Sequence, residues 1–177
     1  MSTEEGRLIS VKVALRCRPL IPKELAEGCK RCLSFVPGEP QVILGQDKPF
    51  TYDYVFDPSA EQEEVFNTSI APLIRGIFSG YNATVLAYGQ TGSGKTYSMG
   101  GVYTADQEND PTVGAIPRVI MMLFHEIEQK VEWQFILKVS YLEVSFYLEP
   151  KDANSEPQIC LFRFFVSFFL KFKQDCN

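Results

Sequence analysis

The chain has 177 residues and a mass of 20.1 kDa, the length of one domain, and a folded domain of that size buries roughly 70% of its unfolded surface. Its composition is 45% hydrophobic and 22% charged, which lies in the globular range and excludes a disordered chain. Lys and Arg number 17 against 22 Asp and Glu, and the formal charge of -5 excludes the positive overall field of a nucleic-acid-binding protein.

The cysteines and the first residues of the chain indicate in which cellular compartment the protein is expected. Five cysteines are an odd count, and without a secretory leader this count favours reduced thiols in the cytosol. Glu4 and Glu5 stand where a signal peptide has its basic start, so we expect a cytoplasmic or nuclear protein. Cys29 and Cys32 have a C-x-x-C spacing, but no second pair follows and the only histidine is His125. Ordinary surface thiols are therefore favoured over a zinc site.

The first predicted elements are two strands. Residues 11–16 carry large apolar side chains at alternate positions, as a half-buried strand does. Aromatic residues alternate in the same way over 50–56. A turn at 57–59 follows, where we expect Ser59 to cap the next helix and Gln62 to complete a capping box.

Helices and further strands follow in alternation, as in α/β folds. Apolar residues at helical spacing over 66–77 predict a helix that Pro72 kinks, because proline removes a backbone donor. A short apolar run at 83–88 leads into a glycine-rich turn and predicts a buried strand. After an acidic loop at 100–114, a second helix is predicted with the apolar stripe Val119, Ile120, Leu123, Phe124 and Ile127. Residues 133–142 predict a strand with two partly apolar faces.

Residues 89–96, Gly-Gln-Thr-Gly-Ser-Gly-Lys-Thr, match in full the pattern G-x-x-x-x-G-K-[ST] of a phosphate-binding loop. Its glycines allow the positive φ angles that turn successive N–H groups toward an anion, and the following helix adds partial positive charge. Lys95 would reach the β- and γ-phosphates, and the Thr96 hydroxyl would bind the bridging magnesium. The expected ligand is a nucleoside triphosphate with Mg²⁺. A glycine-rich turn with a solvated lysine is the alternative.

Three segments resemble motifs of the kinesin motor domain: Arg-Cys-Arg-Pro-Leu at 16–20, Tyr-Asp-Tyr-Val-Phe at 52–56, and the run from Ala87 to Gly100 around the loop. Residues 114–118 and 139–144 resemble later motifs of the same domain, and the sequence of these motifs is most similar to that of the chromokinesin subfamily. The resemblance runs from about Leu8 to Val144. It implies a P-loop NTPase of the α/β class, with a mixed sheet flanked by helices, and an ATP-dependent microtubule motor.

The resemblance also implies a site. Arg16, Arg18 and Pro19 would border the adenine, Tyr97 would pack on its other face, and residues 90–96 would hold the phosphates. Guanidinium planes and aromatic rings suit a flat base because they stack on it. The expected cofactors are ATP and Mg²⁺, the latter bound by Thr96. The complete set of expected nucleotide-binding residues is Arg16, Arg18, Pro19, Gly89, Gln90, Thr91, Gly92, Ser93, Gly94, Lys95, Thr96 and Tyr97.

Two catalytic segments of the family do not occur among the 177 residues. Kinesins complete the magnesium shell and orient the attacking water from two switches, Asn-x-x-Ser-Ser-Arg-Ser-His and Asp-Leu-Ala-Gly. Neither run is present, and no Asp is followed three positions later by Gly. We therefore interpret 1–144 as the N-terminal part of an incomplete motor domain and 145–177 as a divergent tail. A kinesin-type ATPase activity is implied by the resemblance but lacks both switches here.

The resemblance implies microtubules as partner, weakly bound at most by this fragment, and a cytoplasmic, cytoskeletal or, for chromokinesins, nuclear location. No transmembrane segment is predicted. An unrelated P-loop phosphotransferase and a non-motile nucleotide-binding or interaction fragment are the alternatives. The family's loop strand pairs on both sides with strands from the absent half, which predicts marginal stability.

The apolar tail at 159–172 is too short to span a bilayer, which takes roughly 20 residues. Its polar residues Arg163, Ser167 and Lys171 recur every fourth position, so a helix would carry one narrow polar stripe. Three interpretations stay open: an interfacial helix, a strand or helix that adds to the motor sheet, and an exposed apolar segment. The last two are favoured.

Overall fold

The computed structural model describes residues 10–100, 110–146 and 161–174. In place of the single unit expected from the length, the chain forms two compact units, Met1–Ser59 and Ala60–Asn177. The division lies at the turn predicted for 57–59, whereas the resemblance to known motifs stops at Val144. The phosphate-binding loop and the divergent tail therefore belong to the same unit.

The N-terminal unit contains two small sheets. Its elements are, in chain order, β1 (Ala14–Arg16), α1 (Pro22–Ala26), β2 (Leu33–Phe35), β3 (Gln41–Leu44), β4 (Lys48–Thr51) and β5 (Tyr54–Phe56). β1 and β5 pair in parallel, and β2, β3 and β4 form an antiparallel sheet in that order. Val42 and Phe56 are buried. Val11 precedes the shortened first strand and is 87% exposed, so the apolar alternation from residue 11 does not mark a buried face.

The strand predicted over 50–56 is two strands because the chain changes partner at Tyr52. The Tyr52 N–H donates to the Pro40 carbonyl at 3.0 Å, beside β3. One residue later, the Asp53 N–H donates to the Val13 carbonyl at 3.1 Å, beside β1. The alternating aromatic residues of 50–56 therefore belong to two strands in two different sheets.

The C-terminal unit surrounds the loop of interest with helices and one larger sheet. Its elements are, in chain order, α2 (Gln62–Val65), a π-helical turn (Phe66–Ile70), α3 (Ala71–Ile77), β6 (Ala83–Gln90), α4 (Lys95–Met99), α5 (Ala115–Glu128), β7 (Trp133–Phe146) and β8 (Leu161–Gln174). Groups of helices are followed by single strands up to β7, and the α/β class predicted from the sequence is confirmed. Of the loop at 100–114, residues 101–109 lie outside the described part of the chain.

The start of the first long helical segment differs from the prediction. Ser59 does not cap it: its N–H and hydroxyl both donate to Asp57 Oδ1, at 2.7 and 2.6 Å, and the residue before α2 is Glu61. Ser59 belongs to an Asx turn with Asp57, and α2 begins too late along the chain for Ser59 to be its N-cap. The π-helical turn places Pro72 in the first turn of α3, where a missing N–H leaves no hydrogen bond unmade.

The core of this unit lies between α3, α5 and β6. Ile74 and Leu123 are fully buried, and Val119 is 2% exposed. The stripe predicted for α5 is narrower than expected, since Ile120 and Phe124 are 38% and 53% exposed. A helix that packs along one side buries mainly the residues at one angular position, which here are Val119 and Leu123.

The three strands of this unit lie in the order β6-β8-β7, with β8 antiparallel to both neighbours. Within the divergent tail, residues 161–174 therefore form a strand in the sheet, which is one of the interpretations left open by the sequence, and not an interfacial helix. It pairs with the loop strand β6 on one side, where the resemblance predicted an open edge on both. In the part of the chain that the structure describes, no helix has the length and apolar character needed to cross a membrane.

Candidate phosphate-binding site

The loop at 89–94 leaves the C-terminal end of β6 and enters α4. Gly94 immediately precedes α4 with φ of 93°, a left-handed conformation that only glycine adopts without strain. Gly89 has φ of 154°, and a Cβ atom on it would lie 2.6 Å from Ser93 Oγ. Gly89 is therefore restricted by both its backbone angle and the nearby Ser93 side chain, whereas Gly94, with no atom within 4 Å of an added Cβ, is required by its backbone angle alone.

Lys95 lies inside this loop. Its side chain is buried, and Nζ donates to the carbonyls of Gly89 at 2.8 Å and Gln90 at 2.6 Å. Burial lowers the pKa of Lys95, because it penalises the charged ammonium. A phosphate beside Nζ would act in the opposite direction, since an anion stabilises the charged form. The geometry therefore suits an anionic ligand.

The residues that follow Lys95 face outward. Thr96 and Tyr97 are both exposed at the start of α4, with 53% of Tyr97 accessible. Thr91 and Gly92 are also exposed, at the tip of the loop. The structure thus brings together all the predicted residues from 89 to 97 in one strand–loop–helix segment. A hydroxyl and an aromatic ring are accessible there beside a buried ammonium.

Gln62 is a residue of the site that sequence reasoning placed elsewhere. Its side chain is 3% exposed, and Nε2 donates to the carbonyls of Tyr97 at 2.7 Å and Thr112 at 3.0 Å. The predicted capping-box role is therefore wrong. With five residues α4 is too short to be stable by itself. Gln62 joins its last turn to the segment before α5 and so stabilises the helix that carries Lys95.

Arg16, Arg18 and Pro19 belong to the N-terminal unit. The Arg18 guanidinium forms two parallel bonds with the Glu24 carboxylate, Nη1 to Oε2 at 2.8 Å and Nη2 to Oε1 at 2.6 Å. Glu24 Oε2 also accepts the Ile21 N–H at 2.9 Å. Sequence reasoning did not identify Glu24, which closes the loop after β1 and orients the Arg18 plane.

The Arg18–Glu24 pair predicts a pH dependence of the N-terminal unit. The hydrogen bonds from Arg18, and then that from the Ile21 N–H, lower the pKa of Glu24 to about 2. A carboxyl whose pKa is lowered in the folded state stabilises the fold fully at pH values above its ordinary pKa of 4.5. This stabilisation is lost as the pH falls from there through about 2, the pKa in the folded state. Titration of the Glu24 side-chain carbon by NMR should show this lowered pKa.

Arg18→Met should return the pKa of Glu24 toward its ordinary value. Lys23→Met is the matched control, because the Lys23 ammonium lies 3.9 Å from Glu27 in the same helix. An unchanged Glu24 titration in Arg18→Met would show that the pair does not form in solution.

Side chains able to bind a metal ion are sparse. Over the residues that the structure describes, no three His, Cys, Asp or Glu side chains cluster as a metal site would require. Cys29 and Cys32 carry exposed free thiols, and the half-buried Cys17 has its pKa raised by burial. The Thr96 hydroxyl, exposed at the start of α4, is a group that can bind Mg²⁺ attached to a phosphate, and phosphate oxygens usually supply further ligands for this ion.

A strand, a glycine loop around a buried lysine and a short helix are the elements of a P-loop protein. The family described as the kinesin motor domain matches residues 16–149. The chain belongs to the kinesin motor domain family, as its motifs predicted. This match extends past Val144, where the motif resemblance stops.

Individual relatives agree with the family. The chain is 74% identical over 141 residues to the chromosome-associated kinesin KIF4A of Homo sapiens, covering 80% of this chain and 11% of that protein. It is 74% identical over 144 residues to KIF4 of Gallus gallus, covering 81% and 12%. Kinesin-like protein KIF21B of Mus musculus is 56% identical over 121 residues, covering 68% and 7%. The chain spans about a tenth of the length of these relatives.

Proposed function

We propose that this chain binds ATP with Mg²⁺ through the loop at 89–96, as part of a kinesin-type motor domain. The observation that supports this most directly is the buried Lys95 ammonium, held by two loop carbonyls within a turn that needs its glycines. An ammonium so placed gains a strong partner when a phosphate enters. Membership of the kinesin family supports ATP as the nucleotide. An unrelated phosphotransferase is no longer required to account for the loop.

Each part of the site has a proposed role. Backbone N–H groups of 90–96 and Lys95 Nζ bind phosphate oxygens, and the Thr96 hydroxyl binds Mg²⁺, which when bound neutralises the β- and γ-phosphate charge. The exposed Tyr97 ring packs on one face of the adenine. Arg16, Arg18 and Pro19 are proposed to contact the base on the family resemblance alone. Because Glu24 binds the edge of the Arg18 guanidinium, the planar face of this group is what Arg18 offers for stacking.

Microtubules are the proposed partner of the motor domain, on the strength of family membership. The KIF4 relatives are named chromosome-associated kinesins. A cytoskeletal and chromosomal location is proposed on that basis. The polypeptide of 177 residues contains neither switch segment of the family. We therefore propose that a polypeptide limited to these residues binds nucleotide without microtubule-stimulated turnover.

Phosphate release by the purified chain should not rise when microtubules are added. The physical reason is that no group in the sequence matches the family's segments for orienting the attacking water. Steady-state phosphate release with and without polymerised tubulin measures this, and binding of a fluorescent ATP analogue to the same preparation confirms an intact site. Strong activation by microtubules would contradict the proposal and would require that residues 145–177 supply the missing groups.

A further inference from the structure

Strand β8 lies beyond the part of the chain that matches the kinesin family. The match ends at residue 149, and β8 comprises Leu161–Gln174. Its sequence is rich in phenylalanine and contains no Gly or Pro, which is typical of a strand. The family match therefore assigns no role to this segment.

The register of β8 brings it to the phosphate-binding loop. All eight residues of β6 have partners in β8, from Ala83 opposite Phe168 to Gln90 opposite Leu161. The last two pairs include Gly89 and Gln90, whose carbonyls accept the Lys95 ammonium. The backbone that holds Lys95 is thus the backbone that β8 pairs with.

The two halves of β8 have different partners. Residues 161–168 pair with β6 on one side and with β7 on the other. Residues 169–174 pair with β7 over 133–138 and lie past the end of β6. Among the strands that the structure describes, β6 is at the edge of the sheet with β8 as its neighbour. The pairing of the loop strand therefore depends on the first half of β8.

We infer that residues 161–168 are a positioning element of the nucleotide site: a strand from outside the family match that pairs with β6 and fixes the carbonyls of Gly89 and Gln90. A strand edge left unpaired exposes a row of N–H and C=O groups and fluctuates more readily than a paired one. The effect on nucleotide affinity rests on the proposed function. The effect on the backbone of β6 does not, and it can be measured separately.

The decisive variant is Phe165→Pro combined with Val166→Pro in the full chain. Successive N–H groups of a central strand point to opposite neighbours, so one of these two prolines removes a donor to β6. The matched control is Phe169→Pro combined with Leu170→Pro, which breaks the same strand and the same β7 ladder past the end of β6. Amide hydrogen exchange across 83–90 and the Kd of a fluorescent ATP analogue are measured for both variants and the wild type.

Because β6 has β8 as its neighbour on one side, we expect protection in the wild type and in the control at the alternate amides of 83–90 that donate to β8, and rapid exchange of these amides in the 165/166 variant. The Kd for the nucleotide should rise at least about tenfold in the 165/166 variant and stay within about threefold in the control. The inference would be overturned if these amides were unprotected in the wild type, or if they were equally protected in both variants. If the 165/166 variant does not fold, the protection measured in the wild type decides whether β8 pairs with β6. A wild type with protected amides and no nucleotide binding would instead overturn the proposed function alone.

Discussion

Lys95→Ala should abolish binding of a fluorescent ATP analogue in the presence of Mg²⁺, with a rise in Kd of about 100-fold or more. Hydrogen bonds to charged groups contribute about 1.5–3 kcal/mol each, and a lysine that reaches two phosphates loses more than one of them when truncated. Its side chain is also buried in the loop, so water replaces the ammonium poorly. The measurement is a titration by fluorescence anisotropy at fixed Mg²⁺.

Lys130→Ala is the control for Lys95→Ala. Lys130 belongs to the same compact unit, and its Nζ lies 5.8 Å from the centre of the Phe78 ring. This substitution removes the same charge from the unit, and nucleotide affinity should stay within about threefold of the wild type. Equal affinity of the wild type and Lys95→Ala would remove the loop from its proposed role.

Leu123→Ala should cause the largest loss of stability among single substitutions in α5. Leu123 is fully buried in the cluster formed with α3 and β6. Truncating such a leucine costs about 2–5 kcal/mol, because apolar contacts are lost and a cavity remains. Whole domains are stable by only about 5–15 kcal/mol, so the free energy of unfolding should fall by a large fraction. Urea denaturation followed by circular dichroism measures it.

Phe124→Ala is the matched control for the core substitution. Phe124 is the next residue in the same helix and is 53% exposed, so its truncation leaves no closed cavity. We expect the free energy of unfolding to change by less than about 1 kcal/mol. A loss as large as that of Leu123→Ala would mean that another surface covers Phe124 in solution. Equal, small losses for both would contradict the core described between α3, α5 and β6.

Local requirements made the loop predictable from the sequence. The backbone of the loop has positive φ angles at Gly89 and Gly94, and the Lys95 ammonium binds the Gly89 carbonyl. All of these residues lie within an eight-residue motif. The strand β6 was predicted from its apolar run, and Val119 and Leu123 from their helical spacing. These features depend on neighbours along the chain, which a single sequence contains. The expected burial of β6 was wrong, because Leu86 and Tyr88 are 51% and 61% exposed on one face of this edge strand.

Side chains with distant partners were not predictable in this way. Gln62 bonds to carbonyls 35 and 50 residues further along the chain, and nothing in its local sequence indicates either partner. The aromatic residues of 50–56 alternate as in one strand, yet the chain passes from β3 to β1 within them. Burial of Ile120 and Phe124 was expected from periodicity alone, whereas the width of the packed face depends on which elements cover the helix.

The sequence by itself determined the phosphate-binding loop, the α/β class and the kinesin family, because each rests on residue types at short, fixed spacings. Only the tertiary structure decided the state of the tail. Its apolar run over 159–172 suits a helix or a strand equally, since a segment that is apolar at nearly every position has no informative period. Residues 161–174 form a strand because their backbone N–H and C=O groups pair with those of β6 and β7 across the sheet.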